Sequence, residues 1–225
     1  MSSENDKDVK LTGLQKAMAR KMIASWTDVP QFQLESEVNC EAMMAFRKKQ
    51  DYKLSYTAIL AKAAADTLAE FPRLNSSWAG DHIVEHEDIN IGIAVDTKRG
   101  LLVPVISNAD RKSLEEIMEE LNAMKEKSSR GNFTMEEMQG GTFTISNLGM
   151  YRVKLVWDLR KCSGSRYSGS RKMQKTVAVG EDNDINVVYM MHPTLTVDHR
   201  VTDGATGAKF LTALVERLEH PDENF

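Results

Sequence analysis

Residues 196–210, TVDHRVTDGATGAKF, place a histidine, an aspartate and a glycine at fixed spacing in the last part of the chain. His199, Asp203 and Gly204 form the pattern HxxxDG. The apolar alternation before His199 predicts a strand, and the residues from about Asp203 or Gly204 onward predict a helix. His199 is therefore expected at the end of a strand, where rigid secondary structure holds it.

This spacing has a chemical and a structural interpretation. Histidine is the side chain best suited to remove a proton near neutral pH, and Gly204 leaves room for a ligand or another backbone. Alternatively, Asp203 only caps the helix and His199 is an ordinary histidine at a strand end. Because three fixed positions recur by chance in many chains, the isolated pattern favours the structural interpretation.

Composition indicates a soluble globular protein. The chain has 225 residues, of which 41% are hydrophobic and 28% charged, which is enough for one large core. We expect one catalytic domain at residues 11–225 after a disordered tail or linker remnant at 1–10, since no Pro/Gly/Ser-rich linker divides the chain. The net charge of −4 without a basic block argues against a nucleic-acid partner, and no stretch reaches membrane-spanning length.

Neither cysteines nor histidines are spaced like a metal site. Cys40 and Cys162 form no CxxC, so we expect no disulfide framework, no metal and a cytoplasmic location. His82 and His86 flank a predicted strand, in which positions i and i+4 lie too far apart to share a metal ion. The N-terminal residues MSSENDKDVK lack the apolar core of a secretion signal.

Helical and strand patterns alternate along the chain. Helices are predicted in LTGLQKAMARKMIASW, CEAMMAFRKKQ, SYTAILAKAAADTLAEF, SLEEIMEELNAMKEKSSR and GATGAKFLTALVERLEH. Strands are predicted in QFQLESEVN, HIVEH, INIGIAVD, GLLVPVIS, GGTFTISNLGM and INVVYMMHPTLTVDHR, with a bulge at His192–Pro193 in the last one. The fold class is therefore α/β or α+β, with a mixed central sheet flanked by helices.

Four stretches, which together span nearly the whole chain, match one family in order and position. They are LTGLQKAMARKMIASWTDVPQFQLESEVN, NIGIAVDTKRGLLVPVI, GGTFTISNLGMY and DHRVTDGATGAKFL. The chain thereby resembles the catalytic domain of the acyltransferase (E2) components of 2-oxo acid dehydrogenase complexes. Chloramphenicol acetyltransferases and condensation domains share HxxxDG more loosely, so the resemblance implies a chloramphenicol acetyltransferase-like fold.

The resemblance also implies an activity. A dihydrolipoamide acyltransferase moves an acyl group between dihydrolipoamide and coenzyme A, which are the two cofactors we expect. His199 would act as the general base on a thiol, and Ser146 would donate a hydrogen bond to the oxyanion. Asp203 would support the site through hydrogen bonds or an ion pair, with Arg20 and Lys21 as candidate partners. Further supporting residues would be Gly204, Asn147 and Arg200.

The same resemblance implies an assembly. In this family the active site is a channel between neighbouring subunits of a homotrimer, so His199 of one chain would meet Ser146 of another. Trimers go on to form a cubic 24-mer or a dodecahedral 60-mer core, and the complex includes E1 and E3 components. The lipoamide would be carried by a lipoyl domain on another domain or chain, because the resemblance begins almost at the first residue. The chain is accordingly expected to be a stand-alone catalytic protein or an excised domain.

One segment departs from the family pattern. After SNLGMY the chain reads RVKLVWDLRKCSGSRYSGSRKMQK, which is basic and rich in Ser and Gly where the family has an apolar strand. One hypothesis is a pair of compensating frameshifts across residues 152–171, since codons for residues 160–170 exist whose shifted frame encodes ENAPEVAIPG. The alternative is a diverged surface loop. If the segment is real as written, we expect poor packing there and weaker subunit contacts.

Two other functions remain open from the sequence. The first is a non-catalytic E2-like scaffold that has lost turnover through the segment at 152–171. The second is a small-molecule O-acetyltransferase, which fits less well because the N-terminal and GGTFTISNLG stretches resemble E2 chains. The sequence does not separate acetyl, succinyl and branched-chain enzymes.

Overall fold

The computed structural model describes residues 7–98, 100–150, 173–180 and 182–225, together with the backbone of residues 166–170. The helices are α1 (Gly13–Asp28), α2 (Glu41–Lys49), α3 (Tyr56–Glu70), α4 (Leu114–Arg130), α5 (Gly204–Glu219) and α6 (Pro221–Asn224). The strands are β1 (Gln31–Glu35), β2 (Val38–Asn39), β3 (Ser76–Trp78), β4 (Ile83–Glu85), β5 (Ile91–Ile93), β6 (Val95–Thr97), β7 (Gly100–Leu102), β8 (Val105–Ile106), β9 (Phe143–Asn147), β10 (Arg166–Ser170), β11 (Gln174–Val179), β12 (Ile185–Met191) and β13 (Thr194–Asp198).

A mixed six-stranded sheet organises the fold. Its order is β1-β13-β10-β9-β5-β8. Strand β9 runs parallel to both β10 and β5, whereas β13 is antiparallel to β1 and β10. This mixture of parallel and antiparallel strands, with helices packed on the sheet, confirms the predicted fold class.

Alternation along β9 separates the core from a polar face. Phe143 and Ile145 are buried on the helical side, and the Phe143 ring lies 6.0 Å from that of Phe210 on α5. Thr144 and Ser146 occupy the alternate positions and are also buried. The sheet is therefore apolar toward the helices and polar on its other face.

Helix α3 is the most buried helix of the core. The Ser55 hydroxyl caps it by accepting a hydrogen bond from Ala58 N, and it ends at Glu70, just before Pro72, as predicted. Its small alanine side chains allow α5 to pack closely against it. A capping box of Ser113 and Glu116 is present at the start of α4.

The predicted long strand before His199 is wrong as a single element. The chain breaks at His192–Pro193, and β12 and β13 belong to different sheets, with β12 between β11 and β2. Pro193 has no N–H to donate to a ladder, but its carbonyl accepts a hydrogen bond from Ser36 N. Ser36 lies between β1 and β2. The chain therefore passes between the two sheets at the same place twice, from β1 to β2 and from β12 to β13, so the predicted bulge is the point at which the chain changes sheet.

Three other predicted strands are also divided. QFQLESEVN forms β1 and β2, INIGIAVD forms β5 and β6, and GLLVPVIS forms β7 and β8. The division follows the sheets, since β5 and β8 pair within the large sheet while β6 and β7 form a separate two-stranded sheet. Within the INIGIAVD segment, β5 is buried throughout, whereas β6 is partly exposed.

The unusual segment at 152–171 is described only in part. The backbone of Arg166–Ser170 forms β10, which lies between β13 and β9 as an interior strand. A strand therefore occupies the place where the family pattern puts an apolar one. Residues 151–165 and 171–172 lie outside the described residues, so the frameshift hypothesis and the expected poor packing stay predictions.

Across the described ranges, no helix combines the length and the apolar character needed to cross a membrane.

Candidate functional site

His199 lies in an exposed turn directly after β13. Its backbone N–H donates to the Pro30 carbonyl at 2.9 Å, and its ring centroid lies 4.6 Å from that of Phe32 on β1. The backbone bond and the ring contact both tie the turn to the neighbouring strand. The imidazole is thus held at the carboxyl end of β13 and remains open to a ligand.

A buried ion pair flanks the histidine. The Asp198 side chain is fully buried, and its two carboxylate oxygens accept from Arg200 Nε at 3.0 Å and from the Arg200 guanidinium at 2.8 Å. The Arg200 backbone N–H also donates to Asp198, and its guanidinium lies 5.3 Å from the centre of the Trp78 ring. The residues on either side of His199 are therefore bonded to each other, which fixes the turn and leaves the imidazole exposed. Sequence reasoning missed Asp198, although it directly precedes His199.

Asp203 caps helix α5. Its carboxylate accepts from Thr206 N at 2.7 Å, and the hydrogen bonds from Thr206 hold the pKa of this carboxyl below its usual range, with a smaller contribution from nearby His199. In the part of the chain described here, the ion pairs do not include Asp203, so the Arg20 or Lys21 partner considered from the sequence is not seen. At Gly204, a Cβ would meet no atom within 4 Å.

Ser146 lies at the carboxyl end of β9 and lines a cavity of about 820 Å³. The side chain is 8% exposed. Next to it, the Asn147 amide donates to the Thr57 hydroxyl at 3.2 Å, while the Asn147 side-chain carbonyl accepts from Gly149 N at 2.9 Å. Asn147 is therefore fixed through both ends of its amide. Thr57, ninety residues earlier in the chain, had no signal in the sequence.

Charged side chains are among the residues that line the Ser146 cavity. Arg47, Lys53 and Lys125 are cationic, and Asp96 is the single acidic residue among the described lining residues. The Arg47 guanidinium is oriented by a hydrogen bond to the Leu54 carbonyl and by the Tyr56 ring, whose centroid is 4.7 Å away. This cationic excess suits an anionic group.

Within one chain, His199 and Ser146 lie at opposite ends of the sheet. Thr196 on β13 and Thr144 on β9 are level, because both pair with residue 167 of the intervening β10. The chain reaches His199 three residues after Thr196 and Ser146 two residues after Thr144, in opposite directions. At about 3.3 Å per residue and about 4.8 Å per strand, the two Cα atoms are about 19 Å apart. One chain therefore cannot bring both residues to one reacting atom.

Comparison with known proteins places this site in a family. The family described as 2-oxoacid dehydrogenases acyltransferase (catalytic domain) matches residues 3–225. The chain belongs to this acyltransferase family. The HxxxDG turn and the Ser146 strand end thus lie in an acyltransferase catalytic domain.

Relatives of this acyltransferase domain are components of multienzyme complexes. The chain is 36% identical over 230 residues to the lipoamide acyltransferase component of the branched-chain alpha-keto acid dehydrogenase complex of Bacillus subtilis, with 99% of this chain and 54% of that protein covered. It is 32% identical to the dihydrolipoyllysine-residue acetyltransferase component of the pyruvate dehydrogenase complex of Rickettsia bellii, with 97% and 55% covered. The acyltransferase domain therefore spans about half the length of these relatives.

Solved acyltransferase structures share the whole fold. A probable dihydrolipoamide acetyltransferase from Listeria monocytogenes has a TM-score of 0.89 at 34% identity, with 96% of each chain covered. A dihydrolipoamide acetyltransferase from Azotobacter vinelandii was solved in work on the catalytic roles of a serine, a histidine and an asparagine. It has a TM-score of 0.91 at 32% identity, with 97% of this chain and 93% of that one covered. The cubic core of a pyruvate dehydrogenase complex has a TM-score of 0.90 at 31% identity, with the same coverage. Chloramphenicol acetyltransferase shares the fold alone. Its TM-score is 0.57 at 13% identity, with 89% of this chain and 92% of that one covered.

The remaining candidate residues of this acyltransferase domain are two histidines beside β4 and the thiol of Cys40. His82 contacts Asp81, and His86 contacts Ser77, so the two histidines have separate partners on either side of β4. The free thiol of Cys40 is buried at the start of α2, and burial raises its pKa to about 12. Among the described residues, no group of three or more His, Cys, Asp or Glu side chains is placed to hold a metal ion.

Proposed function

We propose that this domain transfers an acyl group between dihydrolipoamide and coenzyme A. The observation that carries the proposal is the HxxxDG turn itself. It presents His199 at the carboxyl end of β13, beside the Asp198–Arg200 pair and the capping Asp203. The chain that carries it belongs to the acyltransferase family. A histidine held in this way can accept a proton from a bound thiol near neutral pH.

His199 is the general base of the proposed reaction. Its imidazole takes the proton from the thiol of coenzyme A or of dihydrolipoamide, and the resulting thiolate attacks the thioester carbonyl of the other partner. The tetrahedral intermediate then expels the second thiolate, which receives the proton back from the imidazolium. The base is unchanged over a full cycle, and the reaction runs in either direction.

Ser146 is the proposed donor to the oxyanion of the intermediate. Ser146 is buried near the end of β9, whose backbone is fixed in the central sheet, so the donor is in place before the charge develops. Removal of one such donor typically slows a reaction about a hundredfold to a thousandfold. Asn147 supports this geometry because its amide is held from both sides.

Asp203, Arg200 and Gly204 are proposed to act indirectly. Asp203 fixes the start of α5 and thereby the residues that follow His199, while Arg200 fixes Asp198 directly before it. Gly204 leaves the space beside the turn open within its own chain.

The opposite placement of His199 and Ser146 supports a site that two copies share. We propose a homotrimer whose neighbouring copies contribute one residue each, within a cubic 24-mer or dodecahedral 60-mer core; a cubic-core structure is among the similar ones. Coenzyme A and the lipoyl arm of a separate domain or chain would meet between the copies. We also propose that the assembly binds the E1 and E3 components of the complex and that it is cytoplasmic.

The experiment is acyl transfer from an acyl-coenzyme A to free dihydrolipoamide, for the unmodified protein and His199→Ala. We expect the unmodified protein to be active and His199→Ala to lose at least about a hundredfold in kcat, because the general base is gone. His220→Ala is the matched control, since His220 is an exposed histidine at the far end of the 16-residue α5. Full activity in His199→Ala, or an assembled but inactive unmodified protein, would refute the proposal, and the second outcome would favour a scaffold.

A further inference from the structure

The ring of Trp78, a residue of β3, contacts the HxxxDG turn from a distant part of the chain. Its centre lies 5.3 Å from Cζ of the Arg200 guanidinium. A cation is attracted to an aromatic face within about 6 Å, and tryptophan is the strongest of the aromatic partners. The turn is therefore joined to the β3–β4 hairpin as well as to the neighbouring strand β1.

Two different kinds of contact hold the Arg200 guanidinium. Its Nε and one terminal nitrogen donate to the Asp198 carboxylate at 3.0 and 2.8 Å. An aromatic face takes up none of the N–H donors of a guanidinium, so the Trp78 ring does not compete with the carboxylate. Asp198 and Arg200 directly precede and follow His199. The ring therefore supports the ion pair that fixes the residues on both sides of the proposed base.

The hairpin that carries Trp78 is fixed at its base. Trp78 pairs with Ile83 across the two strands. The side chain of Asn75, directly before β3, is buried, and its amide donates to the carbonyls of His86 at 2.8 Å and Asp88 at 3.0 Å. These bonds join the chain before β3 to the chain after β4. The ring of Trp78 is therefore presented by a backbone whose two ends are tied together.

Burial alone does not explain a tryptophan at this position. The Trp78 side chain is 37% exposed, although aromatic rings ordinarily contribute to stability by burying a large area. Trp78 also lines a cavity of about 740 Å³, together with Lys21. The ring can therefore act through Arg200 or on a ligand in this cavity, and the two roles differ in their effects on kcat and KM.

We propose that Trp78 is a positioning residue for the base: its ring holds the Arg200 guanidinium against Asp198 and thereby fixes His199. This inference rests on the proposed function, in which His199 takes a proton from a bound thiol. A misplacement of about 1 Å at a reacting group can slow a reaction about a hundredfold. Loss of the ring leaves the ion pair in place with more freedom to move, so its effect is smaller than the loss of the base itself.

The first test is the acyl-transfer assay with Trp78→Leu and Trp78→Phe. We expect kcat to fall about tenfold in Trp78→Leu, which corresponds to about 1.4 kcal/mol and is of the size of a cation–π contact. KM for both substrates should stay within about twofold, because a positioning residue does not touch them. Trp78→Phe keeps an aromatic face for the guanidinium, so its kcat should stay within about threefold of the wild-type value.

Val84→Ala is the matched control for the hairpin. Val84 is 39% exposed, close to the value for Trp78, and it pairs with Ser77, so it lies on the opposite face of the hairpin. Its kcat should equal that of the wild-type protein. An unchanged kcat in Trp78→Leu, or equal losses in Trp78→Leu and Trp78→Phe, would overturn the inference. A raised KM with an unchanged kcat would also overturn it, because the ring would then bind a substrate directly.

A double-mutant cycle tests the contact without any catalysis. Trp78→Leu should lower the urea midpoint of Arg200→Ala by less than about half as much as it lowers that of the wild-type protein, because the guanidinium is already gone. Val84→Ala should have equal effects in both backgrounds. Equal effects of Trp78→Leu in the two backgrounds would overturn the inference and leave the proposed function intact. A wild-type protein without acyl transfer would refute the proposed function, and with it the role of Trp78 in positioning a base.

Discussion

The carboxylate of Asp198 is fully buried beside the proposed base, and Arg200 donates to both of its oxygens. A buried charge is tolerated when it is paired and hydrogen-bonded, and removal of one partner leaves the other charge uncompensated. The pair therefore links the stability of the fold to the position of His199. The same two residues flank the histidine in sequence, so a change in one displaces the turn directly.

Arg200→Ala is expected to lower the free energy of unfolding by about 3 kcal/mol, because it removes the opposite charge and two guanidinium hydrogen bonds from the buried Asp198. Urea denaturation measures this change, and kcat at a temperature where the variant is folded measures the effect on His199. Lys49→Ala is the control, since the Lys49–Asp222 pair is exposed and its loss should cost less than about 1 kcal/mol. Equal losses in the two variants would show that the buried pair has no special role.

Sequence reasoning reached the site residues that a motif names and missed those that only the fold brings near. His199, Asp203 and Ser146 stand in recognisable patterns, whereas Thr57 meets Asn147 across ninety residues. Asp203 also shows that a structural interpretation and a functional one need not exclude each other. It caps α5, and the cap is what holds the end of the HxxxDG turn.

At the scale of elements, periodicity predicted the helices better than the strands. The alanine-rich α3 and the capped α4 have local signals that fix both ends, namely a serine cap and a following proline or glycine. Strand boundaries depend on which sheet a neighbour joins, and that is not a local property. The crossing at Pro193 is an example, because it is matched by a break at Ser36 on a distant part of the chain.

Two elements carry apolar side chains that their own chain leaves uncovered. On the β11–β12 hairpin, Val177 pairs with Val187 and Val179 pairs with Ile185, and these side chains are 63–75% exposed. Helix α1 leaves Trp26 73% exposed. Contiguous exposed apolar surface in a folded chain marks an interaction site, so these faces are candidates for contacts between copies.

Val187→Glu is expected to separate the assembly without unfolding the chain. The substitution places a charge in the middle of the hairpin face, where burial against another copy would leave it unpaired. Light scattering after size-exclusion chromatography measures the mass, and circular dichroism verifies the fold. Met135→Glu is the control, since Met135 is an equally exposed apolar residue outside the hairpin. An unchanged mass for Val187→Glu would exclude the hairpin face from the interface.

At the scale of the whole molecule, the sheet sets the two halves of the proposed site apart. Strand β13 delivers His199 to one end of the sheet, and β9, which runs the opposite way, delivers Ser146 to the other. The interior strand β10 fixes this offset because it pairs with both β13 and β9. Its sequence, Arg-Tyr-Ser-Gly-Ser, has a low β propensity and would not have predicted an interior strand. Neither the sheet order nor the offset could be read from the sequence, and together they are the basis of the proposal that a second copy completes the site.

A mixture of two inactive variants tests this proposal. His199→Ala and Ser146→Ala are each expected to lose most activity when assembled alone, because every site then lacks the base or the oxyanion donor. In a randomly mixed assembly, half of the chains supply an intact His199 and half supply an intact Ser146. If each site takes one residue from each of two neighbours in a head-to-tail ring, about a quarter of the sites are complete.

Co-expression of the two variants, followed by the acyl-transfer assay, should therefore restore about a quarter of the wild-type activity per site. A site within one chain would give none, because no chain in the mixture holds both residues. The doubly substituted protein mixed with His199→Ala is the matched control, since it contains no intact His199 and must stay inactive. The result depends only on which chains supply the two residues, so it tests the offset between β13 and β9 independently of the acyl group transferred.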